Sequence, residues 1–412
     1  MSLEFSTIAL NDIVSLVIDY RGKTPKKLGS DWSESGIRAL SAKNIKTGKI
    51  IREDAIRYVD IDLYNKWMKD EIKRNDILIT SEAPFGEVFF WDSDEKIVLS
   101  QRLFGVRCDE NKVDPKFIYF YMTSEMFQWE LQSRATGTTV KGLRQPELLK
   151  CEIQLPNRDN QRKISYILSN IETKINILKK LNKNLLQLSK VIFKNWFVEF
   201  GPFSGIQPED WKISTLEEVC DLKAGGDKPN VVSDEITDIC IYPIYSNGLD
   251  KDGLYGYTDQ AKIFEESVTV SARGTIGFVC LRHVPYVPIV RLVSVIPKKE
   301  FISAKYLYLF LDRLNIMGTG TTQQQLTIPD FKKTEILVPT LDVIESFTNH
   351  LKPIFEKIWI QEEEIKKLSK LRDTLLPKLM SGEIDVSKIN CDLIIKLKFL
   401  FISILTSIFL SI

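Results

Sequence analysis

Residues 135–156 read ATGTTVKGLRQPELLKCEIQLP, and residues 318–339 read GTGTTQQQLTIPDFKKTEILVP. Gly137 aligns with Gly320, Thr138 with Thr321, Thr139 with Thr322, Pro146 with Pro329, Glu152 with Glu335 and Pro156 with Pro339, all at a constant offset of 183 residues. Each segment runs directly into a long amphipathic stretch. A spacing this large is no solenoid period; it is a duplicated domain followed by a duplicated helix. A chain built this way carries a pseudo-twofold axis and offers two similar surfaces to one partner. B-DNA, which has dyads of its own, is a natural candidate for that partner.

Working outward, residues 1–156 mix short β-rich runs with turns. Asp76–Thr80, Glu87–Trp91 and Ile97–Ser100 combine β-branched and aromatic residues between Gly and Pro, as strands do. Pro115–Trp129 opens on proline and carries an apolar face, which predicts one helix. Pro156–Asp159 closes this block and can cap the next element. From Gln161 to about Phe200 apolar residues recur every three or four positions, with strict heptad spacing through Leu178, Leu181, Leu185, Leu188 and Ile192. The second block runs over 201–340, with strands expected at Ile239–Tyr245, Ser267–Ser271, Gly277–Leu281 and Leu292–Pro297 and a helix at Ala304–Asn315. A second long helix is expected from Leu341 to about Met380, kinked or divided at Pro353 and terminated by Pro377 and Gly382. Helices of this length span roughly 60 Å. Zipped antiparallel, they would hold two heads a DNA turn of roughly 34 Å or more apart. The resulting division is 1–156, 157–200, 201–340, 341–386 and a tail at 387–412.

The chain has 412 residues, 44% of them hydrophobic and 27% charged, enough for two or three domains with cores. A net charge of +1 argues against a small autonomous DNA-binding protein, but not against a subunit whose partners supply phosphate contacts. Six cysteines without CxxC spacing read as buried thiols in a reducing cytoplasm. Two isolated histidines, His283 and His350, leave neither a zinc site nor a Ser/His/Asp triad. The tail, LIIKLKFLFISILTSIFLSI at 393–412, is interrupted by Lys396 and Lys398. Its uncharged run is shorter than the roughly 20 residues of a membrane span, so it reads as an accessory extension or read-through, with no membrane role expected.

Neither a GxxxxGK[ST] loop nor a GxGxxG turn occurs, so ATP and dinucleotide sites are unsupported. The carboxylates at Asp330 and Glu335 fall in the duplicated loop, and no lysine sits two residues after Glu335 or its counterpart Glu152, which argues against nuclease chemistry. What remains is polar recognition on loops. Arg and Lys suit guanine O6/N7 or phosphate, and Asn and Gln suit adenine N6/N7. The candidate DNA-binding residues are Arg21, Lys23, Thr24, Lys43, Asn44, Ser81, Gln101 and Arg102 in the first block. In the second they are Lys223, Lys228, Asn247, Arg273, Thr275, Arg291 and Gln323. The turn Tyr20–Pro25 pairs with Leu222–Pro229, and Ser81–Gly86 with Ser271–Gly277. The bland alternative is that these are solvated turns, and that the shared threonines pack each head onto its helix.

Together with LRDTLLPKLMSGEI at 371–384, the turn Gly22–Pro25 and the strand and loop Asp76–Gly86, the doubled segments and helical repeats identify a likeness. The chain resembles the specificity subunits of type I restriction–modification systems over residues 1–386. The resemblance implies an α+β fold: two duplicated mixed α/β target-recognition domains joined by two long antiparallel helices that form a coiled-coil spacer, pseudo-twofold overall. It further implies that each domain reads one half of a bipartite, asymmetric site in double-stranded DNA. The helices would dock two methyltransferase subunits, through which restriction (translocase/nuclease) subunits join. The subunit itself would catalyse nothing and hold no cofactor; S-adenosylmethionine, ATP and Mg would belong to the partners. The tail after Val386 departs from the family pattern. The competing reading is a non-catalytic coiled-coil scaffold with two binding heads and no DNA role.

Overall fold

A computed structural model describes residues 4–137, 140–314, 316 and 326–387. The chain divides into two compact units. One is Met1–Ile177 together with Ile365–Ile412, and the other is Leu178–Glu364.

In the first unit a four-stranded antiparallel sheet runs in the order Val14–Asp19, Leu103–Cys108, Ile77–Ser81, Phe85–Phe90. The run DILITS is apolar at consecutive positions because its strand is buried on both faces. Ile77 and Ile79 join one core with Phe104, Val106 and Phe117, while Leu78 joins another with Leu99 and Trp67. A three-stranded sheet pairs Ile37–Leu40 antiparallel with Arg57–Val59 and parallel with Ile97–Leu99. A two-stranded ribbon joins Phe5–Ala9 to Glu152–Pro156.

The first unit has in addition a short ribbon of Ile45–Lys46 with Lys49–Ile50. The second unit repeats the other three sheets. Its four-stranded sheet is Cys220–Ala224, Leu292–Pro297, Ser267–Ser271, Val279–Arg282. Tyr242–Tyr245 pairs antiparallel with Leu254–Thr258 and parallel with Val287–Pro288. Lys212–Thr215 pairs with Glu335–Val338 as the ribbon. The duplicated segments thus supply the same strand to the same ribbon in both units.

Several expectations are corrected. The single helix expected over Pro115–Trp129 is two, Pro115–Thr123 and Glu125–Ser133. Ser124 adopts an extended ψ of 151° and its hydroxyl caps the second helix through Phe127 N, a competition serine wins readily over helix continuation. The two long helices are Arg158–Phe197 and Leu341–Met380. The second runs unbroken through Pro353 and ends three residues beyond Pro377. One missing amide donor is outweighed by the burial of Phe347, Leu351, Phe355 and Ile358 around it.

The long helices run antiparallel in both units. In the first unit Ile164 and Leu168 share a core with Leu379, Met380 and Val386. In the second, Phe193 and Phe197 pack on Phe347, with ring centroids 6.1 and 4.7 Å apart, and Asn182 Nδ2 donates to Ile358 O at 3.3 Å. The heptad stripe is only partly the packed one. Leu178 is buried, but Leu181 and Leu188 are exposed, and Asn182 and Ser189 lie on the inner face beside Leu185. Among the described residues no helix is long and apolar enough to cross a membrane. The five described cysteines are buried and free. The C-terminal apolar tail and Cys391 lie outside the described residues.

Candidate nucleic-acid interface

In each unit the duplicated loop docks at one end of the four-stranded sheet through the same two backbone bonds. Leu143 N donates to Ser81 O and Ser81 N to Arg102 O, at 3.0 and 2.9 Å. In the second unit Leu326 N donates to Ala272 O and Ala272 N to Arg291 O, at 2.8 and 2.9 Å. Arg102 and Arg291 both adopt left-handed backbone, φ 64° and 72°, immediately before the strands Leu103–Cys108 and Leu292–Pro297. An arginine gains nothing conformationally from that region. It is held there by the turn that brings the carbonyl under the neighbouring strand end.

In the first unit this end gathers Arg21, Ser81 and Arg102 from the candidate set. Arg21 forms a bidentate pair with Asp19 (2.8 Å for each bond), donates to Leu143 O at 3.1 Å and lies over the Phe104 ring. Arg102 pairs with Glu82 at 3.0 Å, both partners being substantially exposed. Gln101 is exposed and its carbonyl accepts from Ala42 N at 3.1 Å, which places exposed Lys43 alongside. Asn44 and Ser81 are buried. The Asn44 side chain accepts from Ser41 N and Oγ and closes its turn, so it shapes the loop instead of facing outward. Lys23 donates to Trp67 O and sits over the Tyr20 ring. Burial, and then nearby Lys69, hold its pKa below the ordinary lysine value. Thr24 Oγ1 accepts from Lys27 N at 3.3 Å.

In the second unit the structure brings together Asn247, Arg273, Thr275 and Arg291. Asn247 Nδ2 donates to Arg273 O at 2.7 Å, and Thr275 Oγ1 to Asn247 O at 2.6 Å. Gly225 allows its strand end to pass close by, since a Cβ there would lie 2.1 Å from Ile289 O. Lys223 and Lys228 are exposed, and Lys228 Nζ meets Tyr255 Oη at 3.1 Å. Gln323, Thr138, Thr139 and the segment 317–325 lie outside the described residues. Sequence reasoning missed Asp19 and Glu82 as parts of the site. Asp19, two residues before Arg21, was the available signal. Among the described residues no group of side chains could hold a metal ion.

This constellation offers hydrogen-bond donors and acceptors on two like-built loop clusters, and that is recognition chemistry. Comparison with known proteins agrees. The family model for the type I restriction modification DNA specificity domain matches residues 3–187 and again 208–376. The type I restriction enzyme MjaIX specificity subunit of Methanocaldococcus jannaschii is 25% identical over 345 residues, covering 76% of this chain and 78% of that protein. The HindI specificity subunit of Haemophilus influenzae is 24% identical over 406 residues, covering 77% and 88%. The fold matches the crystal structure of the type I restriction–modification S subunit from M. genitalium at a TM-score of 0.62 and 17% identity, over 92% of this chain and 96% of that one. With the family domain present twice and covering most of its length, the chain belongs to the specificity subunits of type I restriction–modification systems.

Proposed function

We propose that each unit reads one half of a bipartite, asymmetric DNA site, and that the long helices set the gap and dock methyltransferase subunits. The observation that carries this is a shared backbone frame with different side chains. The loop docks by the same bonds in both units, yet Glu82 with Arg102 in one faces Arg273 with Arg291 in the other. Two heads of one frame and divergent tips are what two unlike half-sites require, since side chains specify bases while the backbone frame positions them. The chemistry would then reside in partners. Methylation would use S-adenosylmethionine in the methyltransferase subunits, and cleavage would use ATP and Mg in restriction subunits. The exposed apolar residues Leu181, Leu188 and Val191, one stripe of the first long helix, would supply a docking surface for such a partner.

The test is genome-wide mapping of N6-methyladenine in cells with the partner methyltransferase, with and without this chain. A gapped two-part motif that appears only with the chain supports the proposal. Methylation independent of the chain, by a demonstrably active partner, would favour the scaffold reading with no DNA role.

A further inference from the structure

In the second unit a buried cation stands behind an exposed loop. Arg282 ends the strand Val279–Arg282 and is only 5% exposed. Its guanidinium is met by neutral groups. Nε donates to Thr269 Oγ1 at 2.9 Å and Nη2 to Asp252 O at 2.7 Å, and the Tyr245 ring lies 3.6 Å from its central carbon. Burying a charge is costly, and the frame of the head does not require one here. Val268 pairs with Val295 and Leu281, as Ile77 pairs with Val106 and Phe90. Arg282, next after Leu281, therefore takes the place of Trp91, next after Phe90, which is buried and apolar.

What Arg282 holds is the turn Asp250–Gly253, between the strands Tyr242–Tyr245 and Leu254–Thr258. Lys251 and Asp252 in this turn both adopt left-handed backbone, φ 50° and 54°, a region that favours glycine. The bond from Arg282 falls on the carbonyl of the second. The rest of the loop is tied as well. Ser246 N donates to Gly253 O at 2.8 Å, and a Cβ on Gly253 would lie 2.3 Å from Ser246 O. Asn247 bonds to Arg273 O, and Thr275 to Asn247 O, which joins the loop to the tip Ser271–Gly277. So fixed, it presents Leu249, Asp250, Lys251 and Asp252, all exposed. A leucine suits the thymine methyl group, and a carboxylate accepts from the cytosine N4 amino group; neither suits a phosphate.

Resting on the reading that both units bind DNA, we propose that the loop Ser246–Gly253 touches base edges in one half-site, with Leu249 as its apolar contact, and that Arg282 is the residue that positions it. Arg282 is buried and acts from behind. Its planar fork spans Thr269 on the sheet and Asp252 on the loop at once, and so fixes one to the other.

The experiment uses the full chain assembled with its methyltransferase subunits. It measures methylation of duplexes that carry the mapped motif, or a single base-pair change in either half, beside urea unfolding of the chain. Arg282→Met with Thr269→Val removes both members of the buried bond together. The urea midpoint should stay at or above the parent value, while discrimination within one half-site falls about tenfold and the other half keeps its preference. Leu249→Ala, on the surface, should relax the same half. Lys251→Gly, added to the double variant, should restore part of the lost discrimination, because glycine adopts the turn without the tether. The proposal is overturned if the double variant unfolds, since the core would then need the cation. It is equally overturned if that variant folds and reads both halves as the parent does or relaxes both together, or if Lys251→Gly restores nothing. The same holds if Leu249→Ala leaves that half unchanged or weakens assembly with the methyltransferase instead. Absence of chain-dependent methylation by the unaltered complex would instead overturn the proposed function itself.

Discussion

Gly382, in the LRDTLLPKLMSGEI stretch, should be irreplaceable for two separable reasons. It follows the second long helix at φ +77°, where an L-residue pays about 1–2 kcal/mol. A Cβ there would also lie 2.5 Å from Phe5 Cε2, about 1 Å inside ordinary carbon–carbon contact. Moving the half-buried Phe5 ring aside forfeits about 1 kcal/mol of apolar burial. Reduced freedom of the unfolded chain returns about 0.4–1 kcal/mol to alanine. Gly382→Ala should therefore destabilise the first unit by about 2 kcal/mol, a shift of about 4–8 °C for a unit of this size. Chemical denaturation gives the total, and hydrogen exchange across the ribbon Phe5–Ala9 and Glu152–Pro156 localises it. Adding Phe5→Ala removes the steric part, so the two substitutions should couple by about 1 kcal/mol. Additivity within about 0.3 kcal/mol would refute the contact argument, and an unimpaired single variant would refute both.

Three further outcomes are expected. Asp76 is buried and holds Arg107 by bonds of 2.9 and 2.7 Å, so Asp76→Ala should cost about 3–5 kcal/mol in urea unfolding by leaving Arg107 without its counter-charge; a loss under about 1 kcal/mol would contradict that role. Phe197 packs among Phe347, Tyr306 and Trp211 at centroid distances of 4.7, 4.8 and 5.7 Å, and Phe197→Ala should destabilise the second unit by about 3–5 kcal/mol in the same assay. Burial pushes Cys108, Cys151 and Cys220 up to about 12 and Cys280 to about 11. Unfolded thiols ionise near about 8.5, so this contribution is intact below that pH and is lost as pH rises through the folded values. Denaturation midpoints should accordingly fall from about pH 9 upward, and these four thiols should resist labelling at about pH 8 in the native chain. Rapid labelling mapped to any of the four would show that it is accessible.

The duplication was legible because the loop and ribbon strand keep a constant spacing: Leu143 and Leu326 dock alike and lie 183 residues apart. The tips were misaligned by one residue. Matching Ser81 with Ser271 followed residue identity, whereas the ladders pair Ser81 with Ala272. A one-residue slip inverts strand faces and is set by pairing across the sheet, which a linear pattern does not display. The parallel pairing of Ile37–Leu40 with Ile97–Leu99 was hidden for the same reason, since its partners are distant in sequence and neither strand alternates. Arg102 and Arg291 were found by residue type. The pairing of Arg102 with Glu82 is made by the fold, which brings two neighbouring strand ends together.

The first unit is sewn from two stretches of chain separated by the whole of the second. Translation therefore reverses the order of completion. Residues 178–364 leave the ribosome as one continuous stretch that holds all of the second unit. The head encoded first must wait, with Ile164 and Leu168 uncovered, until Leu379, Met380 and Val386 are synthesised. Domains usually fold in the order they are made; here the amino-terminal head is the last to be finished. The nascent chain thus passes through a stage in which one reading head is complete and the other still exposes part of its core.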